Sequence, residues 1–138
     1  MDPSIEEGLN GRNFIDITTT GRQTGEPRRI EIAIHRFDGR YFISGSPSRR
    51  KRAWIANLEA NPHMTVHIKA SATPIDLPGT ARVIDGEAER QAIMPRVAAN
   101  WRRTDIDVMV AYSPLIEVTL DAEAPLSAET AESAAQAG

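Results

Sequence analysis

The sequence predicts a mainly β fold of the α+β class, in which about six antiparallel strands form a small barrel with two or more flanking helices. Three observations predict it. Several segments alternate apolar and polar residues as strands do, and two segments carry a helical period. Their order, strand-strand-strand-helix-strand-strand-helix-strand, contains no run of βαβ units. A parallel nucleotide-binding sheet is therefore disfavoured.

The first part of the chain reads as three strands joined by tight turns. Residues 14–20, FIDITTT, are rich in β-branched side chains and alternate in polarity. Residues 29–37, RIEIAIHRF, place the three isoleucines on one face and His35 on the other. The Asp38-Gly39 pair is a strong hairpin signal before YFISG. We expect a meander of three antiparallel strands.

A short helix follows the third strand. Apolar residues, including Ile55 and Leu58, recur at helical spacing in AWIANLEA. Pro62 ends this segment, because proline disfavours a helical conformation in the residue before it. HMTVHIK and GTARVID then return to the alternation that is typical of strands.

A longer helix and a closing strand complete the predicted barrel. The expected buried stripe of GEAERQAIMPRVAANWRR contains Ala88, Ala92, Ile93, Val97 and Trp101. Pro95 predicts a kink or a break in this helix. Residues 114–121, PLIEVTLD, are the last predicted strand.

We expect one domain at residues 1–121 and an alanine-rich, acidic, disordered tail at residues 122–138. A hydrophobic content of 41% and a charged content of 25% are ordinary for a soluble protein. The chain has no cysteine, which excludes disulfides, thiolate metal sites and a cysteine nucleophile. It has no signal-peptide pattern and no apolar run near the roughly 20 residues of a membrane span, so a cytoplasmic location is expected.

Basic residues are concentrated in one stretch of the chain. From Gly21 to Arg52, nine Lys or Arg residues stand against three acids, a local charge of +6 in a chain of net charge −3. The first basic group lies in TTTGRQTGEPRR, residues 18–29, which is a glycine-bounded turn. Its backbone N–H groups and guanidiniums suit the oxygens of a phosphate or a carboxylate. The alternative interpretation is an exposed hairpin with solvated arginines.

The second basic group is SRRKR, residues 48–52, directly before the first predicted helix. A helix N-terminus offers free N–H donors and a weak positive pole. In a three-strand meander, the turn after the first strand and the loop after the third lie at the same end of the sheet, so both groups can face one small anion. A nucleic-acid patch is the alternative, which the 5% aromatic content and the acidic remainder of the chain disfavour.

No metal site is predicted. His63 and His67 share a face of the fourth predicted strand, but no nearby carboxylate completes a ligand set. Asp105 and Asp107 lie in a short acidic stretch that reads most simply as the loop ending the second helix, with a single divalent ion as the alternative. Phosphate-loop and dinucleotide fingerprints are excluded, since the first basic turn joins two strands and lacks a Gly-Lys-Ser/Thr.

Four motifs in combination carry a resemblance: ITTTGRQTGEPRR, DGRYFISGS, RAWIANLEANPHMTVHIK and SPLIEV. Together they resemble the deazaflavin (coenzyme F-420)-dependent nitroreductase family of split β-barrel oxidoreductases, more distantly related to barrels that bind flavin mononucleotide (FMN). The resemblance covers residues 14–121. It implies a split β-barrel and a coenzyme F-420 whose phosphate and oligoglutamate tail are anionic.

The resemblance also implies a coenzyme site. The residues assigned to it are Arg22, Gln23, Thr24, Gly25, Arg28, Arg29, Ser44, Gly45, Arg49, Arg50, Lys51, Arg52, Trp54 and Asn57. In this resemblance Arg22, Gln23, Arg28 and Arg29 hold the phosphate and the acidic tail, and Thr24 and Gly25 shape the turn. Ser44 lies beside the deazaflavin ring. Trp54 and Asn57 of the helix support the site. Relatives often carry Ser-Lys-Gly-Gly after the third strand, where this chain has Gly45 in place of the lysine. The neighbouring basic residues, positions 49–52, are expected to replace it.

The implied activity is hydride transfer from reduced F-420 to a small electron-poor acceptor, which is a quinone, an enone or a nitro compound. Ser44 and Tyr112 are the expected catalytic hydroxyls, and Met109, Val110 and Tyr112 the expected acceptor pocket. The alternatives are an FMN-dependent oxidoreductase of the same fold and a non-catalytic coenzyme carrier. The expected partners are a small-molecule substrate and a second copy of the chain, and no nucleic acid is expected.

Overall fold

In the computed structural model, which describes residues 12–69 and 74–121, antiparallel strands close into a barrel. The strands are β1 (Arg12–Thr20), β2 (Pro27–Phe37), β3 (Arg40–Ser44), β4 (His63–Ile68), β5 (Ile75–Val83) and β6 (Leu115–Leu120). Their order around the barrel is β1-β2-β3-β6-β5-β4, and the pairing of β1 with β4 closes it. The expected barrel is confirmed, whereas the expected tail at residues 122–138 lies outside the described residues.

Helices cover this barrel on different sides. They are α1 (Ala53–Ala60), α2 (Glu87–Asn100) and α3 (Ile106–Tyr112). In the part of the chain that the structure describes, no helix is long and apolar enough to cross a membrane. The same residues contain no group of three or more His, Asp or Glu side chains arranged to hold a metal ion.

The barrel interior follows from the alternation of the strands. Ile15, Ile17 and Ile43 point inward and are fully buried, because every second side chain of a strand lies on the same face. Helix α1 adds Trp54 and Leu58 to this core. The hairpin between β2 and β3 turns at Asp38 (φ 56°) and Gly39 (φ 70°), as the Asp-Gly signal predicts.

A second core lies outside the barrel wall. Phe42 of β3 points outward and is fully buried beneath α2 and α3, where it packs with Met94 and Met109. His35 of β2 is buried on the same side, with its ring centroid 5.5 Å from that of Trp101. Both faces of these strands are therefore covered, which an alternating pattern does not indicate.

Helix α2 differs from its predicted form in two ways. Ile93, Met94, Val97 and Ala98 are its buried residues, whereas Ala88 and Ala92 are exposed. The helix also continues through Pro95 without a break. Because Pro95 lies on the exposed face, the carbonyl that loses its helical partner there can bind water.

Helix α3 occupies the stretch for which a loop was predicted. Its N-terminus follows Asp105, whose carbonyl accepts hydrogen bonds from the N–H groups of Val108 and Met109 at 3.1 Å each. Within the helix only Met109 is buried. One buried residue sets no helical period, so the pattern of the sequence did not indicate this helix.

Candidate functional site

Two clefts lie beside the first turn of α1. The turn cleft has a volume of about 330 Å³ and is lined by Gly21, Arg22, Gln23, Thr24, Arg28, Ile30, Ala53, Trp54 and Asn57. The loop cleft has a volume of about 400 Å³ and is lined by Ser48, Arg49, Arg50, Lys51, Arg52, Ile55, Glu59, Val83, Ile84, Asp85, Arg90, Ala111, Tyr112, Ser113, Pro114, Leu115 and Ile116. Consecutive residues of α1 line different clefts, so the two basic groups of the sequence lie on different sides of this helix.

The turn between β1 and β2 is closed by its own backbone. Gly21 N–H donates to the carbonyl of Glu26, and Gly25 N–H donates to the carbonyl of Gly21, both at 2.8 Å. Gly25 has a φ of 76°, which favours glycine, and a Cβ at Gly21 would lie 3.1 Å from the Glu26 oxygen. Thr24 Oγ1 accepts a hydrogen bond from Glu26 N–H at 3.2 Å. Thr24 and Gly25 thus have the geometry expected of residues that shape this turn.

Asn57 joins the turn to helix α1. Its side chain is 4% exposed, and Oδ1 accepts hydrogen bonds from the backbone N–H and from Nη1 of Arg22, both at 3.1 Å. Its Nδ2 donates to Thr19 Oγ1 at 3.2 Å. The amide therefore holds the Arg22 guanidinium at the turn cleft, which Trp54 also lines.

The turn cleft carries positive charge that no carboxylate of residues 12–69 and 74–121 pairs with. In the described ranges, neither Arg22 nor Arg28 forms a salt bridge with an acidic side chain. Arg29 differs from its neighbour, since its Nε donates to Asp16 Oδ2 at 2.9 Å and its side chain lies outside both clefts. Gly25 lines a smaller cleft beside β4. The turn cleft can therefore bind an anion through the guanidiniums of Arg22 and Arg28.

The basic residues of the loop cleft have unequal freedom. Lys51 pairs with Glu59 at 2.8 Å, which raises the pKa of the lysine, and Arg52 Nη2 donates to the carbonyl of Ser46 at 2.8 Å. The Arg49 guanidinium lies over the ring of Tyr112, 4.8 Å from its centroid. The Arg50 side chain has no bonding partner within residues 12–69 and 74–121. Arg49 and Arg50 thus remain available to a ligand.

Arg90 of α2 lines the loop cleft and binds several backbone carbonyls. Its guanidinium donates to the carbonyls of Ile84, Met109, Val110 and Ser113, and burial lowers its pKa. A cation on the last carbonyls of α3 suits the negative pole of that helix. Arg90 therefore fixes the end of α3. Sequence reasoning did not find this residue, because its partners lie up to 23 positions away.

Ser44 and Gly45, the predicted site residues at the end of β3, line neither cleft. Ser44 is fully buried, and its Oγ donates to the carbonyl of Pro114 at 2.6 Å. Gly45 is also buried, and a Cβ there would lie 3.4 Å from Cγ of Pro114. Both residues therefore lie against Pro114, in the segment that leads into β6.

The expected apolar acceptor pocket does not form as predicted. Met109 is fully buried in the second core, and Val110 lines a different cleft near the start of α2. Tyr112 lines the loop cleft, with its side chain 38% exposed. Its carbonyl accepts a hydrogen bond from Ser48 N–H at 2.9 Å, which ties the loop after β3 to α3.

The family model of the F-420H(2)-dependent quinone reductases matches residues 2–119. The chain belongs to this family. It is an oxidoreductase whose coenzyme is F-420, and the expected coenzyme is confirmed. The deazaflavin resemblance is confirmed with it.

Solved structures show the same fold. An F-420-H(2)-dependent reductase, FDR-A, shares 22% identity over 77% of this chain and 93% of its own, with a TM-score of 0.57. A structure described as a domain-swapped dimer shares 22% identity over 77% of this chain and 79% of its own, with a TM-score of 0.57. A conserved hypothetical protein from Mycobacterium tuberculosis shares 15% identity over 88% of this chain and 81% of its own, with a TM-score of 0.70. The split barrel is therefore confirmed.

The side chains present suit this coenzyme. Its phosphate and carboxylates need cationic and N–H donors, and the turn cleft offers Arg22, Arg28 and the amide of Gln23 on a turn held by Asn57. On the other side of α1, Arg49 and Arg50 offer two more guanidiniums.

Proposed function

We propose that this oxidoreductase reduces a quinone, with an enone or a nitro compound as further acceptors, and that the turn cleft binds the anionic part of F-420. The observation that carries the proposal is the turn cleft itself, which brings together two guanidiniums that have no carboxylate partner in the described part of the chain. The sequence-predicted Gln23, Thr24, Trp54 and Asn57 lie around them.

In this proposal each residue acts through its bonds and its charge. Arg22 and Arg28 bind the phosphate and the acidic tail, and Asn57 positions Arg22. Arg49 and Arg50 contact the part of the coenzyme that reaches the loop cleft. Because the Ser44 hydroxyl donates to a backbone carbonyl, Ser44 supports the segment before β6 in this arrangement.

The loop cleft is the proposed acceptor site. Its wall carries the exposed ring of Tyr112, on which a flat acceptor can lie, and the guanidinium of Arg49 stacks on the same ring. The bound coenzyme supplies the hydride. The protein holds the acceptor, limits access of water, and offers the Tyr112 hydroxyl as a route for a proton.

Fluorescence titration of the apoprotein with F-420 and, separately, with FMN tests the coenzyme part. We expect saturable binding of F-420 and much weaker binding of FMN. Steady-state assays with chemically reduced F-420 then compare menadione, cyclohexenone and a nitroarene. Tight F-420 binding without turnover of any acceptor would identify a coenzyme carrier instead.

The expected homodimer stays a prediction. A solved relative is a domain-swapped dimer, and Phe14 on the outer face of β1 is 50% exposed. Light scattering of the purified chain over a range of concentrations decides between a monomer and a dimer.

A further inference from the structure

Thr19 is a buried polar residue of β1 that has no role in the predicted coenzyme site. It is 1% exposed, and its Oγ1 accepts a hydrogen bond from Nδ2 of Asn57 in helix α1 at 3.2 Å. Thr19 lines neither the turn cleft nor the loop cleft. Any effect of this hydroxyl on a ligand in the turn cleft must therefore pass through Asn57.

The two ends of the Asn57 amide have different partners. One end faces two N–H donors, the backbone N–H and Nη1 of Arg22, both at 3.1 Å, so this end is the oxygen. The nitrogen at the other end then faces Thr19, and a buried amide nitrogen without an acceptor is unfavourable. Thr19 supplies that acceptor. One side chain thus links the hydroxyl of Thr19 to the guanidinium of Arg22.

We propose that Thr19 is a positioning residue for the binding of F-420. Its hydroxyl holds the Asn57 amide, and the amide holds the Arg22 guanidinium in the orientation that binds the anionic part of the coenzyme. This inference rests on the proposed function of the turn cleft. Asn57 uses one N–H of the guanidinium, which leaves the others for phosphate or carboxylate oxygens. An arginine restrained in this way loses less conformational freedom when the coenzyme binds.

The neighbouring Thr18 provides a matched comparison. Its hydroxyl is also hydrogen-bonded, to Nε2 of His67 in β4 at 2.7 Å. Because successive side chains of a strand point to opposite faces, Thr19 shares the inner face with the buried Ile17, and Thr18 lies on the outer face. The two adjacent threonines therefore have similar bonds, and only that of Thr19 leads to Asn57.

The decisive comparison is Thr19→Val against Thr18→Val, since valine keeps the shape of threonine and removes its hydroxyl. Each variant loses one hydrogen bond, so we expect the melting temperature to fall by about 4 °C in both. In a fluorescence titration, F-420 affinity is expected to fall about 10-fold in Thr19→Val and to stay at the wild-type level in Thr18→Val. Thr19→Ser, which keeps the acceptor oxygen, is expected to restore most of the affinity.

A double-variant cycle assigns this loss to Arg22. If Thr19 acts through the guanidinium, its substitution has little further effect once Arg22 is replaced by alanine. We expect the affinities of Arg22→Ala and of the double variant for F-420 to agree within about 2-fold. A further 10-fold loss in the double variant would show that Thr19 acts by another route, contrary to the proposal.

Hydrogen exchange tests the same link without coenzyme. The backbone N–H of Arg22 donates to Asn57 Oδ1, so its exchange rate, measured by NMR, reports whether the amide stays in place. We expect this rate to rise about 10-fold in Thr19→Val and to stay unchanged in Thr18→Val.

Three results would overturn the proposal. They are wild-type F-420 affinity in Thr19→Val while Arg22→Ala binds more weakly, an equal loss of affinity in the two valine variants, and an unchanged Arg22 exchange rate in Thr19→Val. Wild-type F-420 affinity in Arg22→Ala would instead contradict the proposed function of the turn cleft. The exchange experiment still decides the role of Thr19 in that case.

Discussion

The turn cleft and the loop cleft lie on opposite sides of one short helix, and they differ in how completely their polar groups are hydrogen-bonded. In the turn cleft the supporting groups are bonded to one another, as Asn57 holds both Arg22 and Thr19. In the loop cleft the Ser113 hydroxyl and the Arg50 guanidinium lack partners in the described part of the chain. The first arrangement fixes a guanidinium in position, whereas the second leaves the Arg50 guanidinium without a bonding partner among the described residues.

The largest effect is expected from Asn57→Ala, which breaks the framework of the turn cleft. The variant loses three hydrogen bonds and leaves the buried Thr19 hydroxyl unpaired, which costs about 3 kcal/mol of unfolding free energy. F-420 affinity should fall as well, since Arg22 loses its support. Denaturant unfolding monitored by tryptophan fluorescence measures the first effect. Wild-type stability would show that the turn does not depend on this amide.

Arg28→Ala tests the charge of the turn cleft. Loss of a charge-assisted hydrogen bond to the coenzyme should weaken F-420 binding by about 2 kcal/mol, or about 30-fold, with little effect on folding. Fluorescence titration at two salt concentrations measures it.

Arg29→Ala is the matched control, because Arg29 is the next residue but bonds to Asp16 outside the cleft. A smaller loss is expected there than in Arg28→Ala. Equal losses in the two variants would contradict the division that the structure makes between these arginines.

Gly25→Ala tests the backbone of the turn. At a φ of 76° a Cβ costs about 1 kcal/mol, although no atom lies within 4 Å of the position a Cβ would take. Gly25→Asn should cost less, because asparagine tolerates this conformation better. The melting temperatures of the two variants are compared. A lower value for alanine than for asparagine indicates backbone strain, whereas a lower value for asparagine indicates a steric clash of the larger side chain.

Glu117→Gln tests an ion-pair cluster that lies outside both clefts. Its pKa falls from an ordinary value of 4.5 to about 2 because Arg40 and then Arg82 bind its carboxylate. A lowered folded-state pKa contributes stability that is present above about pH 4.5 and is lost as the pH falls toward 2. Glu117→Gln should therefore destabilise the protein at pH 7 and make little difference near pH 2, with unchanged F-420 affinity at pH 7. Parallel stability curves for the two proteins would contradict this.

Much of the fold could be predicted because its signals are local. β-branched alternation marked the strands, and Asp38-Gly39 marked a hairpin through its own backbone conformation. Helix α3 escaped prediction because it is short and buries only Met109. The stripe of α2 was displaced because this helix packs on Phe42 and Met109, partners that are distant in sequence.

The candidate site also has features that the sequence determines and features that only the tertiary structure decides. By itself the sequence determined that one basic group lies in the turn after the first strand and a second directly before a short helix, and which glycines and arginines make that turn. The structure places the two groups in two clefts, whereas the sequence analysis expected them to face one anion. Only the tertiary structure decided that Trp54 lines one cleft and Ile55 the other, because successive helical residues point in different directions. It also decided that the Ser44 hydroxyl is bonded to Pro114, whereas the buried Ser113 hydroxyl has no partner among the described residues. Whether a buried hydroxyl is paired depends on carbonyls and amides that other elements bring to it, and these are far away along the chain.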